Sequence, residues 1–211
     1  MSQASPSRKS NGTATRDPER TRERILHAAL KEFSARGFAG ARVDAIARRA
    51  RINKRMLYHY FGDKEALFRE ILRGKIAERA AWVAAAPDDP TQLLPYWFEL
   101  ACGDTDWIRL LQWEALQPQN GKLINEAQRL RNYENSLARL RRGQARGLLS
   151  RDYDPKQLLL SMMALTTFPL AFPQIIRLVT GLEVNDPEFR KRRVAFLRQF
   201  AKAFRPKGKS A

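Results

Sequence analysis

Six cations fall within fourteen residues of this chain, Arg42, Arg48, Arg49, Arg51, Lys54 and Arg55, and no acid intervenes between Asp44 and Asp63. Asn53, Tyr58 and His59 sit among them or just beyond. Lysine and arginine neutralise phosphates, and a guanidinium can present two parallel donors to one guanine edge. Tyrosine and histidine reach phosphates and thymine methyl groups. Such a set recognises a polyanion and does not make or break bonds. The competing reading is an ordinary solvated basic face. The whole chain leans the same way: 39 Lys and Arg against 22 Asp and Glu give a formal charge of +17 and a pI near 10.7. Residues 1–75 hold 18 of the cations and only 8 of the acids. A polyanionic partner is expected, nucleic acid before an anionic membrane surface.

The elements that must carry these side chains read as helices. Asp17 is an N-cap ahead of Pro18, and Ile25, Leu26, Ala29, Leu30 and Phe33 repeat at helical spacing until Gly37 supplies a stop. Val43 to Ala50 forms a short helix with Val43, Ile46, Ala47 and Ala50 on one face. After the break at Arg51 and Ile52, Asn53 caps a second short helix from Lys54 to Tyr60 or Phe61. Asp63 caps a longer one that runs to about Ala85. Two eight-residue helices joined by three residues cannot stand alone. With the helix over residues 18–36 they bury a small core of Ile25, Phe33, Phe38, Val43, Ile46, Ala47, Ile52, Leu57 and Phe61. The result is a helix-turn-helix whose second short helix faces a DNA major groove. Its start also aims unpaired backbone N–H groups at phosphate.

Segments Thr21–Phe38, Val43–Ala47, Leu57–Phe61 and Asp63–Phe68 resemble, with their spacing intact, the N-terminal signatures of the tetracycline-repressor (TetR) family. The resemblance implies a homodimeric repressor on double-stranded DNA with a palindromic operator, released by a small-molecule effector. It implies that Tyr58, His59 and Lys64 contact the phosphate backbone, and that Lys54 and Arg55 read bases or nearby phosphates. With Arg42, Arg51 and Asn53 these form the candidate DNA-binding set. The chain departs from its relatives at Arg42, where a capping Thr or Ser is common, and at Arg51, where a turn glycine is common. Arg55 and Met56 replace a pair of small residues. The operator sequence therefore does not carry over.

The remaining chain also reads as helical, near 91–102, 105–116, 122–147, 155–180 and 186–204, with Pro169 and Pro173 expected to kink or break the fourth of these. No period-two alternation suggests strands, so the fold class is all-α. The division expected is a disordered basic tail (1–17), the DNA-binding domain (18–63), a helical regulatory and dimerisation domain (64–204) and a second basic tail (205–211). Aromatic surface is dense in the regulatory part. Trp97, Trp107, Gln112, Trp113, Thr166, Thr167, Phe168 and Phe172 are the candidates for an effector pocket, with packed core as the alternative. Glu114 beside Trp113 is expected in a surface or interhelical salt bridge, the alternative being a carboxylate against an aromatic wall that binds a cation. Leu158, Met162, Leu165, Val194, Leu197, Ala201 and Phe204 are the candidates for a four-helix dimer interface, the alternative being closure of the monomer's own core. Arg139, Arg141, Arg142 and Arg146 read as a solvated face, with an anionic effector or a second nucleic-acid contact as the alternative.

Other classes lack support. No phosphate loop, zinc-ligand spacing or catalytic constellation is visible, so neither enzyme activity, a metal nor a cofactor is expected. Cys102 stands alone and reads as a small buried residue, with a redox sensor as the alternative. No run of 18 apolar residues and no signal peptide is present, which points to the cytoplasm and away from membranes. A basic nucleoid-associated protein without effector control is the rival reading.

Overall fold

The computed structural model describes residues 17–116 and 123–206; the tails read as disordered fall mostly outside them. Ten α-helices are present among the described residues: α1 (Pro18–Gly40), α2 (Val43–Ala50), α3 (Lys54–Phe61), α4 (Lys64–Ala85), α5 (Pro90–Gly103), α6 (Thr105–Ala115), α7 (Glu126–Ala145), α8 (Pro155–Ala171), α9 (Pro173–Thr180) and α10 (Pro187–Ala201). The caps that the sequence suggests are made. Asp17 accepts from the N–H groups of Glu19 and Arg20, Asn53 from Met56 at 2.7 Å and Asp63 from Ala66 at 2.6 Å. Arg42 precedes α2 without a side-chain cap. Gly37 leaves the helical conformation inside the α1 span (φ 67°, ψ 176°), so the expected stop is a break after which the chain coils once more to Gly40.

Two cores result. The N-terminal core joins Ile25, Phe33, Ile46 and Leu57 to Leu67, Ile71, Leu72 and Ile76 of α4 and to Trp107 and Leu110 of α6. The three-helix unit is thus closed by α4 and α6. The second core gathers Leu93, Leu94 and Phe98 of α5 with residues of α7, α8 and α10.

Prolines act unequally. The chain bends by 85° between α8 and α9, at Phe172, and Pro173 opens the new helix. Pro169 does not break α8. Its ring deprives the Leu165 carbonyl of the usual helical donor, and Arg193 of α10 supplies a replacement, donating to Leu165 O at 2.6 Å.

The candidate interface residues divide. Leu158, Met162, Leu197, Ala201 and Phe204 are buried in the protomer's own core, where α8 and α10 pack on α5, so they close the monomer. Leu165 and Val194 are half-buried. The apolar residues left outside are Leu160, Phe168 and Phe172, then Ile175, Leu178 and Val179, then Phe196 and Phe200. Periodicity alone did not separate the inward from the outward apolar positions of α8 and α10, because each helix carries large apolar residues on both sides. No single helix among the described residues is long and apolar enough to cross a membrane.

The junction of α1 and α6 sets the relation of the two cores. Trp113 Nε1 donates to Ser34 O at 3.1 Å, Lys31 pairs with Asp106 at 2.6 Å and the Ser34 hydroxyl donates to the same carboxylate at 2.8 Å. A Cβ added at Gly37 would lie 2.8 Å from the Trp113 ring, and the backbone there is one that only glycine adopts easily. Gly37→Ala is therefore expected to cost about 2–4 kcal/mol of stability, read by urea denaturation. A loss under about 0.5 kcal/mol would show that the junction is slack.

Candidate nucleic-acid interface and ligand cavity

The turn between α2 and α3 is built on Arg51, which caps α2 in the left-handed region (φ 54°, ψ 48°) and donates to the carbonyls of Ala47 and Arg48. A glycine would adopt this conformation without penalty; Arg51 holds it while extending a guanidinium into solvent. Ile52 N–H also bonds Ala47 O, and Asn53 then opens α3. Leu57 is fully buried below, so Lys54, Arg55, Tyr58 and His59 face outward.

The outward face is rich in unpaired cations. Arg42, Arg48, Arg49, Arg51 and Arg55 are exposed and make no ion pair among the described residues. By contrast, Arg22, Lys31, Arg36, Arg69 and Arg73 on α1 and α4 each hold a carboxylate. Lys54 bridges α3 to α2 through Asp44 at 3.0 Å, and the hydrogen bond and charge of Asp44 raise its pKa above the usual lysine value. Lys54 must therefore exchange a partner to meet DNA, whereas Arg55 need not. Lys64 stands over the Phe38 ring at 4.8 Å, with its ammonium 3.4 Å from the Ala39 carbonyl. Arg42 offers its backbone N–H to the buried Glu32 carboxylate at 3.3 Å, which anchors the start of α2 where a side-chain cap is missing. All eight candidate DNA-contact residues lie along the stretch from the start of α2 to the start of α4.

A cavity of about 150 Å³ lies between α4, α5, α6, α7 and α8. Of the pocket candidates, Trp97, Trp107, Thr166 and Thr167 line it. The two threonines spend their hydroxyl protons on carbonyls of their own helix. The other four candidates lie elsewhere. Gln112 ties α6 to the end of α8 by donating to Ala171 O at 2.9 Å. Trp113 belongs to the junction with α1. Phe168 and Phe172 pair with each other, centroids 5.1 Å apart, on the outer surface.

The polar wall that the sequence reading missed comes from α4 and α7: Arg79, Arg129, Asn132, Ser136 and Arg139. Arg129 grips Glu114 with two hydrogen bonds of 2.6 and 3.0 Å, which is the expected interhelical salt bridge. Arg79 pairs with Asp104 at 3.1 Å, and burial pulls its pKa down to about 10, so it stays charged at neutral pH. Of the arginine run read as solvated, Arg141, Arg142 and Arg146 are exposed, but Arg139 turns inward. Burial pushes the thiol of half-buried Cys102 up, which disfavours thiolate chemistry there.

Comparisons with known proteins agree with this architecture. The family model described as bacterial regulatory proteins, tetR family, matches residues 25–71, and a tetracyclin repressor-like C-terminal domain model matches residues 95–202. The HTH-type transcriptional repressor SCO4008 of Streptomyces coelicolor is 36% identical over 80% of this chain and 88% of its own length. The crystal structure of a putative transcriptional regulator, SCO4942, of the same organism superposes with a TM-score of 0.74 at 29% identity, covering 88% of this chain and 98% of that one. The transcriptional regulator FadR of Bacillus subtilis, solved in complex with stearoyl-CoA, shares the fold at a TM-score of 0.60 and 16% identity, over 83% and 97% of the two chains.

Arg51 separates stability from binding. Arg51→Gly is expected to stabilise the fold by about 0.5–1 kcal/mol in thermal or urea denaturation, because the left-handed backbone is relieved. It should also lower the slope of log affinity against log salt for DNA by about 0.9, the signature of one lost phosphate contact. Destabilisation by the glycine would contradict the assignment.

Proposed function

The chain belongs to the TetR family of bacterial transcriptional regulators, and from that membership we propose that it is a homodimeric repressor whose two α3 helices enter the major groove of a palindromic operator and that a small molecule in the α4–α8 cavity releases it. The observation that carries DNA binding is the run of exposed cations without carboxylate partners on α2, the turn and α3. A phosphate backbone is the natural complement of such a surface. Residues 18–63 form the reading unit, and α4 with α6 closes its core from the regulatory side.

Effector control is supported by the position of α6. Its Trp107, Ile108 and Leu111 line the cavity, while Asp106 and Trp113 of the same eleven-residue helix clasp α1. A ligand that displaces one face of α6 displaces the other with it, since a helix moves as a rigid element. FadR shows a ligand held within the same fold. The two reading helices then leave the spacing of about 34 Å that two half-sites require. Dimerisation is supported by the apolar residues that α8, α9 and α10 leave outside, among them Leu178 at 79% and Val179 at 77% exposure.

Binding to the DNA upstream of the chain's own gene, followed by fluorescence anisotropy, tests the reading. Arg55→Ala is expected to cost about 1–3 kcal/mol on the preferred site and to relax specificity at one base pair. Lys64→Ala should weaken every sequence alike and reduce the salt slope by about one. Equal affinity for the upstream segment and for unrelated DNA would support a nucleoid-associated protein and overturn the repressor reading. For the dimer, Leu160→Glu combined with Phe196→Glu should leave a folded monomer in sedimentation at micromolar concentration. A dimer that survives both changes would place the interface elsewhere.

A further inference from the structure

The cavity is not uniformly apolar. Its α5, α6 and α8 sides present Leu93, Trp97, Ile108 and Met162, whereas the α4 and α7 side presents three guanidinium groups. Each of these holds a carboxylate that stands outside the lining: Arg79 holds Asp104 through Nη2, Arg129 holds Glu114 through both Nη atoms, and Arg139 holds Asp88 through Nη1 while its Nη2 donates to the Val83 and Ala84 carbonyls. The Nε–H of all three is buried and lacks a hydrogen-bond partner. Among the described residues five buried Nε groups are orphaned in this way, and three of them belong to this one cavity. Arg129 is the strictest case, since its side chain is more than nine-tenths buried. Buried N–H groups without acceptors are uncommon in native structures, and three of them fall on side chains that line one cavity, where a small shift of each guanidinium would bring its Nε–H to an acceptor carried by a ligand.

The charge of that ligand follows from what the lining lacks. No carboxylate is among the lining residues. The π face of Trp107 is already taken by cations, with Arg79 at 4.9 Å and Arg129 at 5.6 Å from the ring centroid. A cationic ligand would find no counter-ion among the lining residues and no free face on Trp107. An anion would meet three guanidinium groups whose charges are shared with Asp104, Glu114 and Asp88 but whose Nε–H donors are unclaimed. Its size follows from the volume: about 150 Å³ accommodates a single six-membered ring.

Building on the effector reading, we propose that the cavity binds a small aromatic monocarboxylate, its ring between Trp97 and the apolar side chains of α5 and α8 and its carboxylate against the Nε–H groups of Arg79, Arg129 and Arg139. The carboxylate ties α4 to α7 at the head of the cavity, and the ring wedges against α6. An acid therefore both occupies the pocket and loads the helix that clasps α1. Burial opposes the charge on Arg79, and a bound anion would relieve that opposition.

Thermal melting and titration calorimetry of the full chain with benzoate, 2-naphthoate, benzamide and benzylammonium test the proposal. Benzoate is expected to raise the melting temperature saturably and to bind at least about tenfold more tightly than benzamide, 2-naphthoate to bind no more tightly than benzoate because its second ring exceeds the volume, and benzylammonium to have no effect. Arg139→Gln, which leaves behind only the half-exposed Asp88 carboxylate, should weaken acid binding by about tenfold or more without unfolding the protein, as judged by its melt in the absence of ligand. The paired variant Glu114→Gln with Arg129→Gln, which removes both charges of that bridge, should do the same. The proposal is overturned if benzamide or benzylammonium binds as tightly as benzoate, if benzoate does not bind, or if binding is unaffected in both variants. If an acid binds through these arginines but a labelled operator fragment stays bound, the anion site stands and release by the effector fails.

Discussion

The clasp between α1 and α6 is the constraint on which the rest depends. A tryptophan ring lies where a glycine has no side chain, a carbonyl of α1 accepts its N–H, and one carboxylate of α6 holds a lysine and a serine of α1. Burial pushes the Asp106 carboxyl up, but its bonds with Lys31 and Ser34 outweigh this and hold it below the usual carboxylate range. It therefore stays ionised at neutral pH, and the clasp is lost only as acid titrates it. Because α1 also carries the core under α2 and α3, the reading helix has a fixed place relative to α6, to the cavity behind it and to the apolar faces of α8–α10. Without the clasp the two cores would be linked mainly through α4.

The helix-turn-helix was legible because each of its rules is local. Caps at Asp17, Asn53 and Asp63 depend on residue type and a spacing of two or three positions. The core positions from Ile25 to Phe61 follow the helical period. The departures were legible on the same terms: Arg42 makes no side-chain cap, and Arg51 takes the conformation normally left to glycine. Less visible was the borrowing of Trp107 and Leu110 from α6, since no local pattern tells a helix which distant core it completes.

The cavity was half legible for a different reason. An apolar-periodicity search finds aromatic walls, and it found Trp97 and Trp107. It does not find a buried stripe made of polar residues. On α7 the inward positions are Arg129, Asn132, Ser136, Arg139, Leu140 and Gly143, spaced by three and four, and only one of them is a large apolar residue. The helical period is intact, but its chemistry is inverted, so arginines that hold the core together read as surface. On α8 and α10 the difficulty is different: each carries large apolar residues on the outside as well as the inside, Leu160 and Phe168 on one and Phe196 and Phe200 on the other, and the period alone cannot say which turn inward.

A protein that combines an exposed cationic α3, a clasp fixing that helix to the regulatory body and an unpartnered apolar face on α8–α10 should present two reading helices at a set separation. Hydroxyl-radical footprinting on the upstream DNA measures that separation. The account predicts two protected patches on one face of the duplex, related by a dyad, with centres one helical turn or a whole multiple of it apart, about 10 base pairs per turn. Protection of a single half-site, or continuous protection without a dyad, would contradict it.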